Sequence, residues 1–217
     1  MSGRGQVKIQ TMYLCKKADG KSGLYIAEGH CAGRGVRRIL YPRTDTAMAV
    51  LCQGEKAAFQ DVLRQMEQWF YNEFPQMVHP FSASVVERYW LSILKLQPLE
   101  KSEISILLVH RGQYVFCGVG DFRVYEYFPD SGKWRRWHTC AERKELDKEL
   151  GLCNCAQQRT TVFFRHRKIS ENTFFFLLPG LVSLDNSKNM NKGISFKKMM
   201  SYLAEQVSCV AGIRYQT

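Results

Sequence analysis

The sequence predicts an α+β protein in which sheets of short antiparallel strands are covered by amphipathic helices. Three observations predict it. Short apolar runs, such as residues 104–109 and 173–178, alternate with glycine-bearing turns. Two consecutive stretches, 59–74 and 81–96, repeat apolar residues at steps of three and four. A further amphipathic stretch, 196–207, follows the last strands.

The elements follow in order. Residues 12–14 and 24–27 are candidate strands in a polar, glycine-rich opening. Ala47-Met48-Ala49-Val50-Leu51-Cys52 reads as a buried strand closed by a Gln53-Gly54 turn. A helix begins near Glu55, its stripe drawn by Phe59, Val62, Leu63, Met66, Trp69, Phe70 and Phe74, and Pro75 is expected to end it. A second helix follows Pro80, with Phe81, Val85, Tyr89, Ile93 and Leu96 expected on the buried face and Pro98 as its stop. The middle then changes period. Strands at 104–109, 114–118, 122–128 and 133–137 are separated by short turns and read as a meander. Residues 142–150 suggest a short charged helix stopped by Gly151. Strands at 161–164 and 173–178 are expected to be broken by an exposed Arg165-His166-Arg167-Lys168, and 196–207 forms the final helix.

The chain has 217 residues, 45% of them hydrophobic and 24% charged, ordinary values for one globular domain with a real core. No apolar run reaches the roughly 18 residues that span a bilayer, so no membrane partner is expected. Met1-Ser2-Gly3-Arg4-Gly5 has no apolar core behind it, and the expected compartment is the cytoplasm. The eight cysteines are scattered through apolar runs and read as buried reduced thiols. Cys153-Asn154-Cys155 has no second pair to complete a zinc site. A formal charge of +11 favours acidic partners. The cations are dispersed, however, with 133–138 the one stretch interleaved with aromatics, so nucleic acid is the less expected partner.

Residues 104–125 carry a resemblance. A hydrophobic strand, a glycine turn and a second strand lead into Gly120-Asp121-Phe122-Arg123 and a third strand. This resembles the central hairpin and Gly-Asp-Ser-Arg turn of the metal-dependent PPM (type 2C) protein phosphatases. Gly120 suits the sharp turn, and Asp121 and Arg123 suit bridging it. By position, Val50-Leu51-Cys52-Gln53-Gly54 stands where the family has its Asp-Gly-His-Gly turn, and Leu178-Pro179-Gly180-Leu181 where it has Ser-Asp-Gly. The resemblance covers roughly residues 45–208 and implies a four-layer α-β-β-α sandwich of two antiparallel sheets flanked by helices. It implies a single domain over 1–217. The family's closing Asp-Asn segment does not follow the final helix, so the last strand is expected to be wanting; Asp185-Asn186 lies before that helix and reads as a loop.

The departures bear on chemistry. The family's two manganese or magnesium ions share a water that attacks a phosphoserine or phosphothreonine, and such hard cations need carboxylate oxygens. The resemblance puts the bridging aspartate at Leu51, the carbonyl-donating glycine at Cys52 and the Ser-Asp-Gly aspartate at Pro179. Asp45 is the one acidic residue near the first strands placed to stand for the family's early acidic metal ligand. No catalytic residue and no cofactor is therefore expected, with manganese or magnesium implied only for a residually active form. Cys31 and Arg37 have the spacing of a cysteine-phosphatase loop, but Ile39-Leu40-Tyr41-Pro42 follows too soon for the required helix. Arg34, Arg37 and Arg38 are expected to bind an anion without catalysis. The expected function is that of a pseudophosphatase that binds a phosphorylated or acidic partner through the former cleft. A weakly active metal-dependent serine/threonine phosphatase and a basic nucleic-acid-associated protein are the alternatives.

Overall fold

A computed structural model describes residues 8–15, 22–32, 39–53, 56–77, 81–95, 103–120, 122–136, 162–179, 193–207 and 209–216. The chain opens with three strands, β1 (Lys8–Cys15), β2 (Ser22–Ala32) and β3 (Ile39–Gln53). A helical stretch follows: α1 (Lys56–Gln68), a π-helical turn (Trp69–Glu73) and α2 (Phe74–Met77). Then come α3 (Ala83–Lys95), β4 (Glu103–His110), β5 (Gln113–Val119), β6 (Phe122–Phe128) and β7 (Lys133–Arg136). The order ends with β8 (Val162–Lys168), β9 (Thr173–Pro179), α4 (Phe196–Gln206) and β10 (Cys209–Gln216). No helix among the described residues is long and apolar enough to cross a membrane.

The strands form two five-stranded antiparallel sheets, ordered β1-β10-β9-β6-β7 and β2-β3-β4-β5-β8. Strand alternation sends successive side chains to opposite faces, and both faces of the central strands are buried. Ala47, Ala49, Leu51, Leu107, Val109 and Phe116 of the second sheet meet Phe175, Leu177, Ala211 and Ile213 of the first. On its outer face the second sheet presents Met48, Val50, Ile106 and Leu108 to Met66, Phe70, Trp90 and Leu94 of the helices. On the far side of the first sheet, Phe176 and Val210 pack against Phe196, Met199, Met200 and Leu203 of α4. These layers are the expected α-β-β-α sandwich. Ser195 starts α4 by accepting a hydrogen bond from the Lys198 backbone N–H at 3.3 Å.

Several local expectations are corrected. Pro75 does not stop the first helix but lies buried within α2. A proline ring clashes with the carbonyl four residues back and offers no N–H. The wider π turn before it, closed by the Phe74 N–H on the Trp69 carbonyl, relieves that demand. On α3 the buried line is Val86, Trp90 and Leu94, while Tyr89 is 42% exposed. The predicted line falls one residue short, about 100° round the helix axis. Residues 165–168 do not break a strand but complete β8, and His166 bonds Glu87 of α3 at 3.0 Å. The meander reading also fails after β5, where the chain leaves one sheet for the other. Residues 209–216, where no strand was expected, form β10 between β1 and β9. Its glycine and arginine hide it from a hydrophobic pattern. Cys52 and Cys117 are buried free thiols as expected, but Cys209, opposite Cys15 in the β1–β10 register, is disulfide-bonded. Residues 142–150, Cys153, Cys155 and Asp185-Asn186 lie outside the described residues.

Gly212 shows how closely β10 and α4 approach. A Cβ there would lie 2.5 Å from the Met200 sulfur and 3.0 Å from the Phe196 ring. Gly212→Ala is expected to lower unfolding stability by about 1–3 kcal/mol, since overpacking forces both side chains from their rotamers. Urea titration checks this, and an unchanged midpoint would contradict the packing described.

Candidate functional site

One end of the sandwich gathers the positions singled out by sequence. Leu51 stands opposite Ser105 on β4, and Ser105 opposite Gly118 on β5. Cys52 stands opposite Ile104, and Ile104 opposite Val119. From Val119 the chain passes through Gly120, whose φ of +74° is open to glycine without strain, and enters β6 in the other sheet. There Phe122 pairs with Pro179 and Arg123 with Leu178. Leu51, Cys52, Gly120 and Pro179 therefore converge, brought together by the register of two sheets. Asp121, Arg34, Arg37 and Arg38 lie outside the described residues.

The chemistry of this end is set by what those side chains lack. Leu51 is 3% exposed and faces the space between the sheets. Cys52 is fully buried beneath the helices, and burial pushes its thiol far above the ordinary range, so it offers no thiolate. Pro179 is buried and has no donor atom on its side chain. Sequence reasoning missed Glu103 and Ser105, which stand on the same face of β4 as Leu107 and so point between the sheets at this end. Glu103 is half-buried and Ser105 2% exposed. The signal was available: two polar residues at alternate positions of an otherwise apolar strand. Among the described residues this end offers one carboxylate and one hydroxyl, a sparse donor set for a pair of hard divalent cations, which take carboxylate oxygens beside their waters. No group of three or more histidine, cysteine, aspartate or glutamate side chains suited to a metal occurs among the described residues.

Asp45 is not part of this end. It precedes Leu51 by six residues of extended strand, about 20 Å, and the structure joins it to the opposite turn. Arg111 donates to its carboxylate from Nε at 2.7 Å and to its backbone carbonyl from the main-chain N–H at 2.9 Å. Thr46 Oγ1 donates to the same carboxylate at 3.0 Å and lies within hydrogen-bond distance of His110 Nδ1, at 2.7 Å. His110 is in turn walled by the rings of Phe74 and Phe81, at 5.4 and 5.0 Å. Arg111 sits in the left-handed region, with φ +44°, in a two-residue turn completed by Gly112 at φ +76°. Asp45 thus holds an otherwise unfavourable arginine conformation.

No protein-family model and no curated protein sequence matches the chain. Solved structures do match in backbone. RsbX in complex with magnesium superposes with a TM-score of 0.59 at 14% identity, over 97% of this chain and 99% of that one. The phosphatase domain of SpoIIE from Bacillus subtilis gives 0.56 at 13% identity, over 97% and 92%. The serine/threonine phosphatase Stp1 from Staphylococcus aureus gives 0.55 at 12% identity, over 100% and 99%. The fold is that of the PPM-type phosphatases. At such identities the likeness concerns the PPM backbone and leaves the chemistry to the side chains described above.

Asp45→Ala is expected to cost about 1–2 kcal/mol of stability, because the Arg111 turn and the Thr46 hydroxyl both lose a partner. The response of the melting temperature to manganese is expected to be the same in wild type and variant. Differential scanning fluorimetry reads both, and a manganese-induced shift present only in wild type would make Asp45 a metal ligand after all.

Proposed function

We propose that this chain is a PPM-fold pseudophosphatase, which does not hydrolyse phosphoesters by a metal-dependent route and acts by binding a phosphorylated or acidic protein partner through the former cleft. One observation carries the reading: Leu51 and Pro179 stand where the resemblance calls for carboxylates, and both side chains are buried without a donor atom, while Cys52 can offer only its backbone carbonyl. A metal-dependent phosphatase needs its cations to lower the pKa of the attacking water and to clamp the phosphoryl oxygens. The residues of this end do neither. The formal charge of +11 supports an acidic partner over a basic one.

A second reading, a weakly active metal-dependent phosphatase, draws on Glu103, whose carboxylate faces the inter-sheet space. One assay separates the two. Hydrolysis of 4-nitrophenyl phosphate is expected to stay at the buffer rate with or without millimolar manganese, and the melting temperature to stay unmoved by the ion. Manganese-dependent turnover that disappears in Glu103→Gln would install the second reading in place of the first.

A further inference from the structure

One cysteine departs from the reduced thiols that the sequence leads us to expect. Cys209, the first residue of β10, is disulfide-bonded, whereas Cys52 and Cys117 are buried free thiols. Burial raises both of those thiols, and the Glu87 carboxylate adds to the effect at Cys117. The thiolate is the species that exchanges, so neither of the two competes in disulfide chemistry.

The register of β1 and β10 points to the partner. Cys15, the last residue of β1, stands directly opposite Cys209. Opposed residues of an antiparallel pair have Cα atoms about 4.5–5.5 Å apart, inside the span that a disulfide bridges. Cys31 is on β2, in the other sheet, and Cys140, Cys153 and Cys155 lie outside the described residues.

This place adjoins the candidate site. Cys209 is 2% exposed and belongs to the cluster between the sheets that holds Leu51 and Leu177. Ala211 pairs with Leu177, so the next residues on the inner face, Cys209 of β10 and Pro179 of β9, are neighbours. The strand fastened here is thinly anchored. Among the described residues β1 hydrogen-bonds in its sheet to β10 alone. Its buried apolar residue, Ile9, is six residues from Cys15, about 20 Å along the strand, and Met12 and Leu14 are partly buried. Tyr13 is 59% exposed, so water reaches β1 within two residues of Cys15.

We propose that Cys15 and Cys209 form a reversible thiol–disulfide switch, which in its oxidised state locks β1 onto β10 beside the end that holds Leu51 and Pro179. The oxidant is a low-molecular-weight disulfide. One protein thiolate attacks it, forming a mixed disulfide and releasing one small thiolate. The second protein thiolate then attacks the protein sulfur of that mixed disulfide and releases the other. One S–S bond is broken and one made; the protein gives up two electrons, and its two thiol protons pass to the departing thiolates. A dithiol reverses the sequence. In a compartment that keeps thiols reduced, such a bond forms transiently and reports redox state. The switch does not depend on the absence of turnover.

Mass spectrometry of the alkylated full chain, after native incubation in glutathione buffers of graded composition, tests it. Positions 15 and 209 are expected to gain protection together, with the same fraction reached from the oxidised and the reduced side, and a non-reducing digest is expected to link their peptides. Oxidation is expected to raise the melting temperature by roughly 5–10 °C and to slow amide exchange over residues 8–14 about tenfold or more. Cys15→Ser and Cys209→Ser are each expected to abolish both responses, and if one variant fails to fold the other decides. A bond from Cys209 to any other cysteine would overturn the switch. So would a pair that stays reduced in glutathione disulfide, a bond that dithiothreitol cleaves only after unfolding, or equal exchange over 8–14 in the two states.

Discussion

Burial of β3 on both faces constrains everything around it. Its even-numbered residues Met48, Val50 and Cys52 lie under the helices, and its odd-numbered Ala47, Ala49 and Leu51 lie between the sheets. A strand so enclosed tolerates an ionised side chain only where an ion or a partner compensates the lost hydration. Leucine at 51 removes the need for such compensation. At position 51 packing and chemistry are therefore one fact: the same methyl groups that seal the space between the sheets offer a divalent cation no donor atom. The alanines beside it keep the sheets close enough for Phe175 and Leu177 to reach across.

Several of the polar groups that enter the interior are tied to a specific task. Thr46 and His110 are both buried, and they join Asp45 and Arg111 into a chain of hydrogen bonds that fixes the β4–β5 turn. Glu126 is matched by Arg135 at the sandwich flank. Buried polar atoms that meet partners in this way specify geometry as much as they add stability. Here they fix the registers of β3 and β6, and those registers decide which residues meet at the end that holds Leu51.

Much of the fold was legible because its apolar periods are strong. The α1 stripe through Val62, Met66 and Phe70 is buried as its spacing implied, and the runs at β4, β5 and β9 form central strands. The α3 stripe was misplaced because Val85 and Val86, and Tyr89 with Trp90, supply two adjacent apolar lines; sheet contacts choose between them, and a lone helix does not reveal the choice. At the candidate site, the family resemblance brought Leu51, Cys52, Gly120 and Pro179 to notice, and their convergence required a crossing between sheets that only tertiary structure displays. Asp45 looked close in sequence to Leu51 and proved distant, because in a strand six residues are a long way. Glu103 was overlooked since a single acid at a strand's start is common on any surface.

The π turn at Trp69–Glu73 amounts to one residue too many for an ordinary helical winding. Trp69 and Phe70 on it, and Phe74 after it, all reach the core, with Phe70 and Phe74 stacked at 5.7 Å. Deleting a residue there would rewind the backbone to regular α geometry, swing Phe74 about a quarter-turn from its berth, and drive Pro75 against the preceding carbonyl. Insertion and proline are thus interlocked: neither can be lost alone without unseating the aromatic cluster that anchors the helical layer.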